Sequence, residues 1–258
     1  MDFSNYRKKL KKNGYVIIKA KSIPKIKNSV KMKLINKVSL LLKKLKLKKI
    51  ENKNFDEIMM DIYKIDQRKK VNILKSLYEI FPSEPIFYSL ATCKDFLNIS
   101  KNLGVKYPLI GTGTQIRFDR PNDKKFKTLK HQDFWYSFLS HNAITIWFNL
   151  TEVSDKDGAL IIYVNSHKKG YLNFINKKKA TFEIKNYLQS KEKKIFLKKD
   201  EILVFSQFLV HKSGINSSNK PRVSIQLRYN DLFSLKNFTS SFKFSSSEFV
   251  LEKQKRLK

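Results

Sequence analysis

The chain has 258 residues, 41% hydrophobic and 13% aromatic, which excludes a disordered composition and is long enough to bury a core without disulfide or zinc staples. A single cysteine, Cys93, excludes an intramolecular disulfide and fits a reducing, cytoplasmic compartment. The formal net charge of +32 rests on lysine, because only seven of the 54 basic residues are Arg and the lysines are spread along the whole chain. That pattern reads either as a solvated lysine-biased surface or as attraction for an anion. The shortage of planar guanidinium forks argues against specific nucleic-acid recognition. No apolar h-region precedes a cleavage site near the N-terminus, and no apolar run is long enough for a bilayer, so neither a signal peptide nor a membrane span is expected.

Taken in chain order, Tyr15–Ala20 ("YVIIKA") reads as a strand. Ser22 is placed to cap a helix that carries Pro24 in its first turn. Val30, Leu34, Val38, Leu41, Leu42 and Leu45 then recur at helical spacing. Phe55, Ile58, Met59, Ile62 and Tyr63 form a second stripe, and Val71, Leu74, Leu77, Tyr78 and Phe81 a third. A fourth helix is expected from near Pro85 to Leu103, stopped by Gly104. From about Tyr107 the period changes to two. "TQIRFD", "AITIWFNL", "ALIIYV", "EILVFS" and "RVSIQLRY" are short β-rich runs, several of them separated by turn signals such as Asp157-Gly158. Many short strands without intervening helices predict a mainly β fold with flanking α: an antiparallel jelly roll with the N-terminal helices packed outside it. The expected organisation is one domain over 1–258, with a mostly helical flank (1–104), a jelly-roll core (105–235) and a C-terminal tail (236–258).

All four histidines, His131, His141, His167 and His211, lie in the β-rich half. His131 and Asp133 stand at i and i+2 on a predicted strand, so both side chains would point to one face. Residues 134–210 separate them from His211, at the end of an apolar strand. Two imidazoles and one carboxylate suit one face of a six-coordinate ferrous ion and leave positions open for a chelating 2-oxo acid and dioxygen. The far carboxylate of such a co-substrate needs a charge-assisted bidentate partner. Arg222, at the start of the next strand, is well placed for it.

Four segments in order resemble the phytanoyl-CoA dioxygenase family of Fe(II)/2-oxoglutarate oxygenases. They are "LKKNGYVIIKA", "KHQDFWY", "ITIWFNLTEVSDKDGALIIYVNSHKKG" and "HKSGINSSNKPR". The resemblance implies a double-stranded β-helix (cupin-like) core, with Fe(II) and the co-substrates 2-oxoglutarate and O2. It implies iron ligation by His131, Asp133 and His211, and Arg222 and Ser213 on the distal carboxylate. It also places Trp147 and Gln132 along the cofactor pocket. Two turns depart from the family pattern. Val164-Asn165 replaces Pro-Gly, and Lys199-Asp200 replaces Gly-Asp; Asn takes a left-handed conformation more readily than Lys. The intact Asp133 argues against the halogenase variant of the family.

Gln115 is added to the cofactor pocket by strand parity. Arg117 shares its face, and Arg228 shares the face of Arg222; either arginine is a candidate contact for an acidic or polar part of the substrate, or else an ordinary ion pair. Phe134 and Trp135, with Tyr136 and Phe138, form either a substrate-facing wall or plain packing. His167 is expected to make a structural hydrogen bond, and Cys93 to sit in the core. The function implied is hydroxylation of an unactivated C–H of a small, anionic metabolite, with no specific nucleic-acid partner. The alternatives are other oxidative chemistry at the same iron (desaturation, epimerisation), a cupin-like metal-dependent non-oxygenase, or a basic nucleic-acid-binding protein with a decayed site.

Overall fold

The computed structural model describes residues 2–47, 53–111, 113–123, 127–137, 140–178, 181–184 and 190–234. The expected C-terminal tail (236–258) and Phe138 lie outside them. The first part of the chain runs α1 (Phe3–Asn13), β1 (Tyr15–Lys19), α2 (Ile23–Lys44), α3 (Phe55–Lys69), α4 (Ile73–Ile80), α5 (Pro85–Ala91) and α6 (Lys94–Asn102). The second runs β2 (Pro108–Ile110), β3 (Gln115–Asp119), α7 (Phe134–Ser137), β4 (Ile144–Asn149), β5 (Leu160–Tyr163), β6 (Phe174–Lys178), β7 (Thr181–Ile184), β8 (Glu192–Ile195), β9 (Glu201–Ser206), β10 (His211–Ser213) and β11 (Arg222–Asp231).

A six-stranded sheet has the order β1-β9-β4-β11-β2, with β3 also paired to β11. A three-stranded sheet has the order β10-β5-β8, and β6 and β7 form a separate hairpin. Every pairing is antiparallel. Alternation along the large sheet divides its side chains between two layers. Ile116, Ile146, Phe148, Val204, Val223, Ile225 and Leu227 face the helices and join one core with Leu34, Val38, Met59, Ile62, Leu77 and Phe96. Their neighbours Trp147, Leu203 and Phe205 face the small sheet and pack on Leu160, Ile162 and Ile195. Both β4 and β11 are therefore buried along their full length, and the functional side chains emerge on the face between the sheets.

The helical flank matches the predicted stripes, with four differences. An additional helix, α1, precedes β1; its apolar pattern is too sparse to stand out among lysines, and only Leu10 is buried. Ser22 makes no cap hydrogen bond and is itself helical, at φ −75° and ψ −21°. The helix expected from Pro85 to Leu103 is broken in two, because Cys93 is extended at ψ 143° and starts α6. Cys93 itself packs against the core only partly buried.

The start of α4 is capped across helices. Asp66 of α3 accepts the backbone N–H groups of Ile73 and Leu74 at 2.8 and 3.0 Å. These are two of the donors that a helix start leaves without intrahelical partners. Replacing Asp66 by Ala should therefore destabilise the protein by about 1–2 kcal/mol, with Asp66→Asn costing less; urea denaturation measures both.

Candidate metal centre

His131 and Asp133 are not on a regular strand, contrary to the sequence expectation. His131 makes one isolated antiparallel bridge, and the chain turns into α7 right after Asp133. The partner of that bridge is His211: each backbone N–H donates to the other's carbonyl at 3.0 Å. Directly opposed residues of an antiparallel pair project from the same side, so the two imidazoles lie together with ring centroids 4.1 Å apart.

Both imidazoles are oriented the same way. Nδ1 of His131 contacts the Leu129 carbonyl at 2.8 Å, and Nδ1 of His211 contacts the Leu209 carbonyl at 3.0 Å. A carbonyl only accepts, so each Nδ1 carries the hydrogen and each Nε2 presents its lone pair. The two Nε2 atoms stand 3.6 and 3.7 Å from Asp133 Oδ1. One ligand atom from each of the three residues falls within 4.8 Å of the others, and all three residues are buried.

The charge states suit a cation. Burial, then the neighbouring His131, push the pKa of His211 down to about 3, so its imidazole is neutral. Burial opposes the charge on Asp133, but the Arg228 guanidinium outweighs it and holds the carboxyl well below its ordinary value. Thr145 donates its hydroxyl to Asp133 Oδ2 at 2.6 Å, and Arg228 Nη2 donates to Oδ1 at 2.6 Å. Two imidazoles with their Nε2 atoms turned toward an ionised, oriented carboxylate form the donor set of a two-histidine, one-carboxylate iron site with open positions, and these residues fit such an ion.

Arg222 stands on the same inner face, six residues along β11 from Arg228. It is buried, with its guanidinium over the Trp147 ring at 5.8 Å from the centroid. Nη2 donates to Asp119 Oδ2 at 2.6 Å, and Nη1 donates to the Gly158 carbonyl. Asp119 also pairs with Arg117 at 3.2 Å. Burial opposes charge on Asp119, but Arg222 and Arg117 prevail and bring its pKa down to about 2. Arg222 Nε, Ser224 Oγ and both amide atoms of Asn149 are buried without a protein hydrogen-bond partner. Ser224 is directly opposite Asn149 across the β4–β11 pair. A guest carboxylate would accept from Arg222 Nε, Ser224 Oγ and Asn149 Nδ2, so the pocket fits a 2-oxo acid.

The remaining sequence candidates sort by position. Ser213 lies two residues beyond His211, with Asp119, along one cleft. Gln115 accepts from the Tyr78 hydroxyl of α4 at 2.9 Å. Gln132 is spent on backbone: its amide donates to the carbonyls of Gly170 and Phe208 and accepts from Leu172 N–H. It staples three loops behind the centre. Phe134 stacks on Phe208 at 4.9 Å, and the Trp135 indole donates to the Leu172 carbonyl at 3.1 Å. Both belong to a small apolar cluster with Tyr163, Ile184 and Val210, which supports the packing role. Arg117 and Arg228 form ion pairs with Asp119 and Asp133. His167 contacts the Lys11 carbonyl at 2.9 Å and thereby fastens α1. Sequence reading missed Asp119 and Thr145. Asp119 carried a usable signal, since the alternation that pairs Gln115 with Arg117 reaches it next.

The two departing turns resolve differently. Asn165 adopts the left-handed conformation at φ 65°. The turn at Lys199-Asp200 needs no such residue, because Glu201 N–H closes it on the Lys198 carbonyl at 3.1 Å.

A jelly-roll core with an inward-facing His-Asp-His centre defines the class of cupin-like, non-haem iron oxygenases. The family model described as phytanoyl-CoA dioxygenase (PhyH) matches residues 10–224. The chain belongs to that family, whose members are non-haem iron, 2-oxoglutarate-dependent enzymes. No curated protein matches it in sequence. Among solved structures it is similar to the epimerase SnoN in complex with Fe3+, alpha ketoglutarate and nogalamycin RO, at 14% identity and a TM-score of 0.59, over 95% of this chain and 93% of that one. It is similar to EctD from S. alaskensis in its apoform, at 16% identity and a TM-score of 0.57, over 90% and 79% of the two chains. It is also similar to the carbocyclase SnoK from nogalamycin biosynthesis, at 16% identity and a TM-score of 0.54, over 87% and 82%. These likenesses show the fold. Among the described residues no helix is long and apolar enough to cross a membrane.

The folded-state pKa of Asp119 lies below its unfolded value. Its contribution to stability is therefore present above about pH 4 and is lost as pH falls toward about 2. Asp119→Asn should be about 2 kcal/mol less stable than wild type at pH 7, and the gap should narrow between pH 5 and pH 3. Urea denaturation across that range checks it; a constant gap would contradict the assignment.

Proposed function

We propose that His131, Asp133 and His211 hold one ferrous ion and that Arg222 engages the distal carboxylate of 2-oxoglutarate. We further propose that the enzyme hydroxylates an unactivated C–H of a small, anionic metabolite. The observation that carries this reading is the convergence of two imidazole Nε2 lone pairs on one ionised carboxylate oxygen. When bound, iron with 2-oxoglutarate and dioxygen supplies an oxidation of the substrate coupled to loss of carbon dioxide and formation of succinate.

The chain's own groups select, orient and shield. Asp119 and the Gly158 carbonyl hold the Arg222 guanidinium flat over Trp147, leaving Nε for a guest carboxylate. Ser213, Ser224 and Asn149 offer further donors around it. Phe205 packs its ring against His211 with centroids 4.9 Å apart, and this apolar wall limits water at the centre. Arg117, Arg222 and Arg228 outnumber Asp119 and Asp133 on the inner face, which favours an anionic substrate.

SnoN and SnoK are described as an epimerase and a carbocyclase. A shared fold therefore supports other oxidative outcomes too, and product analysis decides between them. Succinate release from 2-oxoglutarate by the iron-loaded protein, screened against anionic and neutral metabolites, tests the substrate class.

Two substitutions test the residues. His211→Ala should abolish iron-dependent succinate formation; unchanged turnover would remove His211 from the ligand set. Arg222→Lys should raise the KM for 2-oxoglutarate by more than about tenfold, since the charge-assisted contact from the fixed Nε is lost. An unchanged KM would remove Arg222 from the co-substrate site.

A further inference from the structure

Arg228 was a candidate substrate contact, and the structure binds it instead to the centre itself. Its guanidinium is gripped on both arms: Nη1 donates to the Gly113 carbonyl at 2.8 Å and Nη2 to Asp133 Oδ1 at 2.6 Å. The two side chains are 6% and 1% exposed. The same Oδ1 is the atom that faces both imidazole Nε2 atoms, at 3.6 and 3.7 Å. The other carboxylate oxygen is taken by Thr145. One oxygen thus stands between a fixed cation and the point where two lone pairs converge.

The geometry points to Arg228 as the resident counter-ion of the metal centre, a positioning residue that aims Asp133 at the two imidazoles and sets how tightly the centre holds a divalent cation. The inference rests on reading the triad as a metal centre. Its physical basis is the cost of a buried carboxylate. With no cation beside it, Asp133 would be strongly destabilising and would draw in any cation to compensate. With Arg228 in place the metal-free protein is already balanced. An arriving dication then meets a fixed positive charge and a carboxylate whose lone pair is shared, and both effects weaken its binding. Thr145 on Oδ2 and Arg228 on Oδ1 together fix the plane of the Asp133 carboxylate, with Oδ1 turned toward the two imidazoles. Arginine suits the role better than lysine, because its fork reaches the Gly113 carbonyl and the carboxylate at once and never loses its charge.

The test is a titration of the full-length protein with Mn(II), free Mn(II) being read by electron paramagnetic resonance, alongside thermal unfolding with and without Mn(II). Arg228→Met should bind Mn(II) about tenfold more tightly than wild type, or tighter still, as expected for removing a unit charge this close to a dication. Its metal-free melting temperature should fall, and its rise on adding Mn(II) should exceed that of wild type. Arg228→Lys keeps the charge and should bind Mn(II) within about threefold of wild type, a small change for a like-charged residue. If the methionine variant does not fold, Arg228→Gln carries the same expectation. A purely structural role predicts weaker binding in every variant, so unchanged or weaker Mn(II) binding by the neutral variants overturns the inference while leaving the metal centre standing. Wild-type protein that takes up no Mn(II) overturns both.

Discussion

Asp133 carries a negative charge where almost no water reaches it, and the inner face of the protein is organised around keeping it charged. Taking a carboxylate out of water costs several kcal/mol. That cost is offset by an ion pair to Arg228 and a hydroxyl donor from Thr145. These partners come from β11 and β4. Neither is adjacent to Asp133 in sequence. The pairing of β4 with β11, which sets Thr145 opposite Arg228, is thus a condition for the site. A register slip of one residue would turn both away from the carboxylate.

The same solution recurs six residues along β11. Asp119, from the neighbouring strand, is held ionised by Arg222 and Arg117. The inner face therefore carries two ionised carboxylates, Asp133 buried and Asp119 largely so, each fixed by a strand-borne guanidinium, with the polar groups of Ser224, Asn149 and Gln226 between them. This explains where the scarce arginines go. Lysine, a compact and strongly hydrated charge, covers an exterior where it need not be precise. Two of the seven arginines, Arg222 and Arg228, are buried, where a rigid, permanently charged fork can hold a carboxylate in one geometry.

What could be read from the sequence follows from which constraints are local. Helical stripes, the change of period near Tyr107 and the His-x-Asp pair are patterns within a few residues, and they gave the jelly roll and its helices. His211 and Arg222 entered the same way, as the third group that a His-x-Asp pair would need to hold a metal and the guanidinium that a dianionic co-substrate would need. The neighbours of those groups were not legible. That Asp119 meets Arg222, or that Thr145 and Arg228 meet Asp133, depends on strand register, which no local pattern encodes. Gln132 shows a different limit. The family resemblance put it in the cofactor pocket, whereas its amide serves the backbone of three loops.

The local geometry at His131 adds a last step. A continuous strand through residues 131–133 would have put both side chains on one face. The chain instead makes one bridge, to His211, and turns at once into α7. One pair of backbone hydrogen bonds therefore fixes the imidazole–imidazole spacing, while the turn swings the Asp133 carboxylate back toward both Nε2 atoms. The carboxylate that closes the triangle is positioned by a turn and held by side chains from other strands. Its geometry is therefore as firm as the two contacts, to Thr145 and Arg228, that grip it.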